Sequence, residues 1–350
     1  MKVPLNLESH PPTWRFRIWA GSFLYNALML SEFDLIANYF TRPVRHADRC
    51  ALGVGDDCAL LTPSPGMQLA VSTDMLVEGR HFFVAAEPTK LGHKCLAVNL
   101  SDLAAMGAKP LAFTLALALP EANPDWLAAF SSGLLALADL HDCELIGGDT
   151  TKGPLTICIT VFGEVPLAAA LRRDAAQVDD DIWVSGTLGD ARLALAGYRG
   201  ELRLEPAAQQ AAGERMHAPS PRVALGLALR GIAHAAIDIS DGLSGDLQHI
   251  LDRSQVGASL QVDALPAGPI LSRQAQMLRR NFCLAGGDDY ELCFTAAPVK
   301  REQVLAAAQK VGVAVTRIGR IEAQPGLRLL DQSNQPVALD VTSFDHFSSP

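Results

Sequence analysis

Aspartates recur along the chain in one setting, most of them directly behind Gly, Ser or Thr and beside an apolar run. GVGDDCALL carries Asp56 and Asp57, VSTDM carries Asp74, NLSDLAAMG Asp102, IGGDTT Asp149, AIDISDG Asp238 and Asp241, and AGGDDYELCF Asp288 and Asp289. A single GD or SD pair is ordinarily a turn or a helix N-cap. Repetition beside so many apolar runs asks for a common cause. Carboxylates with Ser, Thr or Asn beside them are hard oxygen ligands suited to Mg2+, and a divalent ion removes the repulsion that carboxylates sharing a site would otherwise feel. The neighbouring glycines let the backbone turn sharply and let a polyphosphate come close.

Other devices are excluded. The chain has no G-x-x-x-x-G-K-[ST], no G-x-G-x-x-G and no G-x-S-x-G, and the stretch from Asp238 to Asp246 lacks the Gly and Glu positions of an EF-hand loop. A bound nucleotide therefore needs a different cradle. His81, in VEGRHF, follows the Asp74 segment and faces a substrate or serves as a structural group. No general base is required if the nucleophile is a phosphate monoester, which is largely a dianion near neutral pH and attacks a second phosphate once metals screen their repulsion.

The elements that must carry these residues follow from periodicity. Phe33, Ile36, Ala37 and Phe40 have helical spacing. MQLAVSTD reads as a strand ending in polar residues, and LGHKCLAVNLSDLAAMG as an amphipathic helix with Leu96, Leu100 and Leu103 on one face, closed by Gly107. Asn99 and Asp102, three apart, point the same way from it. LAFTLALALP is a strand stopped by Pro120, a helix runs from Trp126 to Leu140, and CELIGGD and LTICITVFGEV are strands. After a small, polar junction the pattern restarts: strand DIWVSG, helices from Asp190, after Glu205 and from Arg222 to Leu229, strand AAIDIS, helix GLSGDLQHIL, strand YELCFT, a helix near Val304 and strand VAVTRIG. Alternating elements with antiparallel-compatible strands give an α+β class. The expected domains are 31–165 and 166–350, behind an extension of residues 1–30 that has the look of a leader but neither the length of a membrane span nor a small-x-small cleavage site.

With 350 residues and 49% hydrophobic composition the chain can bury two cores. A net charge of -9 argues against a nucleic-acid footprint, so any phosphate ligand needs cations from solution. Seven scattered cysteines without a C-x-x-C pair read as free thiols in a reducing, cytoplasmic setting.

Taken in order, GVGDDCALL, VSTDMLVEGRHF, AVNLSDLAAMGAKP, LIGGDTTKGPL, AIDISDGLSGDLQHI, GGDDYELCF and the closing FDHF resemble the thiamine-monophosphate kinase family, from about Ser31 to Phe347. The resemblance implies transfer of the γ-phosphoryl group of ATP to thiamine monophosphate, and a fold shared with aminoimidazole ribonucleotide synthetase. In that fold an N-terminal α+β domain pairs across a homodimer into a β-barrel, and a C-terminal α/β domain covers it. Position by position it implies Mg2+ ligands at Asp57, Ser72, Thr73, Asp74, Asp102, Asp149, Asp238 and Asp241. ATP contacts are implied at Gly148, Asp149, Arg173 and Ser240, and contacts to thiamine monophosphate at His81, Asp288 and Phe344. An aromatic face at Phe344 suits a cationic thiazolium. The family usually has Glu where Asp288 stands, and a Gly and Pro-Gly-Asp turn where DAAQVDDD follows Arg173. Two other readings are another ATP-dependent synthetase of the superfamily and a non-catalytic nucleotide- and metal-binding regulator. The latter would be expected to lack one of the metal aspartates, and none is missing.

Overall fold

The computed structural model describes residues 31–339. Strands β1 (Cys50–Leu52), β2 (Leu60–Leu61) and β3 (Met67–Val77) follow helix α1 (Glu32–Leu35), which a π-helical turn (Ile36–Phe40) extends. Helix α2 (Pro88–Ala105) leads to β4 (Lys109–Leu119), α3 (Pro124–Leu140), β5 (Glu144–Lys152) and β6 (Thr156–Pro166). The second half contains β7 (Asp181–Ser185), α4 (Asp190–Tyr198), α5 (Pro206–His217), α6 (Val223–Ala228) and β8 (Ala235–Asp238). It continues with α7 (Leu243–Ser254), β9 (Gly257–Gln261), α8 (Gln276–Ala285), β10 (Leu292–Ala296), α9 (Arg301–Lys310), β11 (Val315–Glu322) and β12 (Gly326–Leu330).

A four-stranded sheet has the order β3-β6-β4-β5, antiparallel except for β4 and β5. Those two parallel strands are joined through α3, the long crossover that parallel pairing requires. A six-stranded sheet has the order β12-β9-β11-β7-β10-β8, with β12 and β9 its parallel pair. Mixed pairing in both sheets agrees with an α+β class, and no closed barrel forms within the described residues.

Helix α2 is the element that ties the halves together. Glu87 caps its first turn by accepting the Thr89 and Lys90 N–H groups at 2.9 Å, Pro88 sits at its start, and the helix ends just before Gly107. The sequence reads as an amphipathic helix with one apolar face, but it is buried nearly all round, because α3, β6, α6 and β8 all pack against it. Its approach to α3 is close: a Cβ at Gly92 would stand 2.1 Å from the Phe130 carbonyl oxygen, and one at Gly133 1.9 Å from that of Thr89. A core of Leu96, Leu100, Leu103, Phe113, Phe130 and Ile159 continues into Trp183, Leu292 and Phe294 of the second sheet.

Three expectations change. The strand read as ending near Asp74 runs on to Val77, and the one read as ending at Asp149 runs to Lys152, so both carboxylates lie inside strands rather than at their tips. The stretch from Gly53 to Leu61, whose small and apolar residues read as a buried strand, is mostly exposed: Leu60 and Leu61 form β2 against β1, and Val54 bridges Asp56. Residues 1–30 and Phe344 lie outside the described residues.

Candidate functional site

Strand β3 alternates strictly from Leu69 to Met75. Leu69, Val71, Thr73 and Met75 face outward, while Ala70, Ser72 and Asp74 turn toward α2. Helix α2 answers with Asn99 and Asp102. The Asn99 Oδ1 accepts the Asp74 backbone N–H at 3.1 Å, and the Ser72 hydroxyl donates to Asp102 Oδ2 in a short hydrogen bond. From the second half, the end of β8 brings Asp238 against the same helix, where Ser101 Oγ donates to Asp238 Oδ2 at 2.8 Å. The next turn carries Ser240, Asp241 and Gly242. It is shaped by Asp246, whose Oδ2 accepts all three of their backbone N–H groups at 3.1 Å. Gly242 is required there: its φ is 118°, and a Cβ would press on the Ala285 backbone at 2.8 Å.

These carboxylates converge on one wall of a cleft of about 980 Å³, at the upper end of the roughly 300–1,000 Å³ usual for ligand sites. Asp74, Asp102, Asp238, Ser240, Asp241 and Asp288 all line it. Burial pushes the Asp74 carboxyl up to about 6, with Asp102 and Asp241 adding to the rise. Burial also raises Asp102, against the pull of its Ser72 hydrogen bond and the nearby Arg173 charge. Asp238 is raised well above the ordinary range, first by burial and then by Asp102. Burial, then Asp241, raises Asp246 to about 7. Among the described residues no three His, Cys, Asp or Glu side chains close on a single point as a self-contained metal cage. What the cluster does carry is an excess of hard carboxylate oxygens, which fits divalent cations whose remaining ligands come from a polyphosphate.

His81 also lines the cleft; its Nδ1 accepts the Val77 N–H at 2.9 Å, so the neutral ring carries its proton on Nε2. Asp288 is fixed through its backbone, which donates to the Ser240 carbonyl at 2.8 Å. Residues 288–290 form a kinked turn in which Asp288 and Tyr290 have φ values of 67° and 48°. The outer end of the cleft is apolar and aromatic, with Phe82, Phe83, Leu195 and Met216, and Phe83 meets Tyr198 edge-on at 5.6 Å.

Five sequence-selected residues do not join this cluster. Asp57 is exposed on the segment between β1 and β2. Thr73 is on the outward face, hydrogen-bonded to Thr160 at 2.8 Å. Gly148 and Asp149 lie on the far edge strand. Asp149 shares a rung with Ala116, Cys158 and Met75, three strand spacings or roughly 14 Å from β3. Arg173 is exposed, yet its charge reaches Asp102. Sequence reasoning missed Lys94, Ser101, Asp246 and Tyr290. Lys94 was detectable as the residue two helical turns before Asp102, and Asp246 as the first-turn acid behind the SDG turn; Ser101 and Tyr290 gave no signal.

Residues 55–165 match the AIR synthase related protein N-terminal domain family, and residues 177–332 match its C-terminal domain family. The thiamine-monophosphate kinase of Salmonella typhimurium (strain LT2) is 45% identical over 324 residues, which are 91% of this chain and 99% of that relative. The crystal structure of thiamine-monophosphate kinase from Stenotrophomonas maltophilia K279a is 50% identical, with a TM-score of 0.77 over 81% of this chain and 91% of that one. AaThiL, solved in complex with AMPPCP and TMP, is 28% identical with a TM-score of 0.71, covering 82% of this chain and 89% of the other. An acidic wall assembled from both halves of an AIR synthase-related fold, in a chain so similar to these enzymes along nearly its full length, has one family explanation: the chain belongs to the thiamine-monophosphate kinases.

Proposed function

We propose that this protein transfers the γ-phosphoryl group of ATP to thiamine monophosphate, giving thiamine diphosphate and ADP. The observation that carries the reading is the meeting of Asp74 and Asp102 with Asp238 and Asp241, from two separate sheets, on one wall of a cleft large enough for two ligands. That a relative has been solved with AMPPCP and TMP together supports the same pairing of substrates.

Transfer is direct. An oxygen of the acceptor phosphate forms a bond to the γ-phosphorus, the bond from that phosphorus to the β–γ bridging oxygen breaks, and ADP leaves with the electron pair. The acceptor is already ionised, so no side chain has to remove a proton. Mg2+, when bound, neutralises charge on the transferring group. Asp57, Ser72, Thr73, Asp74, Asp102, Asp149, Asp238 and Asp241 are the proposed ion ligands. Gly148, Asp149, Arg173 and Ser240 would hold ATP, and His81, Asp288 and Phe344 the acceptor. The units are 31–165 and 166–350.

The protein is a homodimer in this reading. Leu69, Val71 and Met75 are 45%, 55% and 56% exposed on a sheet face that none of the described residues covers, and a second copy is the partner of matching chemistry. Its closure over that face would turn the surroundings of Thr73 and Asp149 into an interior. Sedimentation of Met75→Glu as a monomer is the expected result; a wild-type monomer rejects the dimer. The cysteines, free throughout the described residues, support a cytoplasmic setting.

The deciding experiment supplies ATP and Mg2+ with thiamine monophosphate, thiamine or an aminoimidazole precursor, and identifies products by mass. Thiamine diphosphate from the monophosphate alone is expected. ATP turnover with the aminoimidazole precursor would favour a synthetase instead.

A further inference from the structure

Lys94 is a buried cation in a cleft whose inner wall carries Asp74, Asp102, Asp238 and Asp241. It is the only lysine among the buried residues described, with 5% of its side chain exposed, and it lines the cleft from α2. Its Nζ donates to Asp288 Oδ1 at 2.9 Å, while Asp288 itself is 31% exposed and also receives the Tyr290 hydroxyl at 3.3 Å. Lys90, Lys94, Val98 and Asp102 all line the cleft from one stripe of α2, stepping about 6 Å per four residues. The helix thus presents a basic end and an acidic end to the same space. Of the other cations there, Lys90 reaches outward to Glu214 at 2.6 Å and Arg192 to Glu201 at 2.7 Å, while Arg80 and Arg199 line the cleft from outside α2 and neither is buried.

A buried ammonium must be paired, but a lysine held by one partly exposed carboxylate retains two further N–H donors. An entering phosphate dianion faces Asp74, Asp102, Asp238 and Asp241 and is repelled unless a cation meets it. We propose that Lys94 binds the phosphate of the acceptor, exchanging its resting Asp288 carboxylate for the phosphate oxygens while the Tyr290 hydroxyl keeps Asp288. The exchange gives the ammonium a dianion in place of a monoanion, and it places the acceptor phosphate between the basic and acidic ends of the stripe. The short Asp288 side chain matters: with its backbone pinned to Ser240, it retracts onto Lys94 in the resting protein.

This assignment rests on the phosphotransferase reading, and calorimetry without nucleotide separates the two. Thiamine and thiamine monophosphate differ only in the phosphate, so their affinity ratio isolates its contact. Wild-type protein is expected to prefer the monophosphate by about tenfold or more, as a charge-assisted contact implies, and Lys94→Met to lose that preference. In turnover assays the same variant should raise KM for the monophosphate with KM for ATP unchanged. A retained preference in Lys94→Met, or an equal rise in both KM values, overturns the assignment. Should Lys94→Met fail to fold, Asp288→Asn decides: releasing the ammonium should raise the preference for the monophosphate over thiamine several-fold, whatever Asp288 itself contributes to holding the rest of the acceptor, and an unchanged or smaller preference overturns the assignment. A wild-type protein that prefers the monophosphate yet makes no thiamine diphosphate would reject the kinase reading and leave Lys94 in place.

Discussion

Glu291 and Asp102 are both carboxylates largely withdrawn from water, and the chain treats them in opposite ways. Glu291, fully buried in the second half, receives Arg215 at 2.7 Å, Arg222 at 2.6 Å and the Ser185 hydroxyl at 2.6 Å. Asp181 is likewise held by Arg301 and Arg317, and Asp263 by Arg280. Asp102 has one hydroxyl and the distant charge of Arg173, and its other neighbours are more carboxylates. Where such an acid serves the fold, its partner is built into the protein, a cation at Glu291, Asp181 and Asp263 and backbone N–H groups at Asp246 and Asp190. Where it serves the cleft, the positive charge is left for something that arrives with the ligand. Uncompensated carboxylates in a cleft mark function better than carboxylates as such.

The largest test of that contrast is Asp102→Asn. Removing a buried charge whose desolvation outweighs the pull of Ser72 and Arg173 should leave the melting temperature of the metal-free protein unchanged or higher, because desolvation and repulsion with Asp74 and Asp238 fall. Activity should drop beyond the roughly 10–100-fold that outer-shell partners of a metal cost. Steady-state kinetics with a thermal melt separates these; near-normal turnover would remove Asp102 from the site.

Glu291→Gln should do the reverse. It breaks a buried, fully partnered ion cluster and leaves Arg215 and Arg222 facing one another, a loss on the order of 3 kcal/mol in urea unfolding. Lost stability with little change in kcat at low temperature is expected, and an unaltered unfolding midpoint would mean the cluster contributes nothing net.

Much of this was legible in the sequence, and for identifiable reasons. Strand β4, with LAFTLALAL stopped at Pro120, and helix α3 announced themselves by periodicity. Strand β9 (GASLQ) and strand β12 are short and lack alternation, and they went unread because long-range pairing, of β9 with β11 and of β12 with β9, stabilises them rather than local pattern. The role of α2 was misjudged since amphipathicity describes one buried face, and only the packed structure shows α6 and β8 covering the other. At the site, Asp74, Asp102, Asp238 and Asp241 were found by type and context, whereas the convergence of strands from two sheets is tertiary and invisible to spacing. Asp57 and Asp149 carry equally strong motifs and lie elsewhere on the surface of one chain.

The smallest effects concern pH, where the two kinds of carboxylate pull in opposite directions. Asp74 is raised to about 6, so its contribution to stability is present below the unfolded value of about 3.9 and is lost as pH rises through 6. Asp263 is lowered to about 2, chiefly by its Arg280 hydrogen bonds, so its contribution is present above about 3.9 and is lost as pH falls toward 2. Melting temperature in a chelator should therefore peak near pH 4 and fall on the alkaline side up to about 6. The alkaline limb should flatten in Asp74→Asn by a few degrees, roughly what 1–2 kcal/mol moves a chain of this size. The acid limb should flatten in Asp263→Asn by less, since a pair near the surface contributes about 1 kcal/mol or under. Adding Mg2+ with ATP should erase the alkaline limb alone, because only there does the incoming ligand supply the missing positive charge. A limb that persists with both present would place the titrating group outside the cleft.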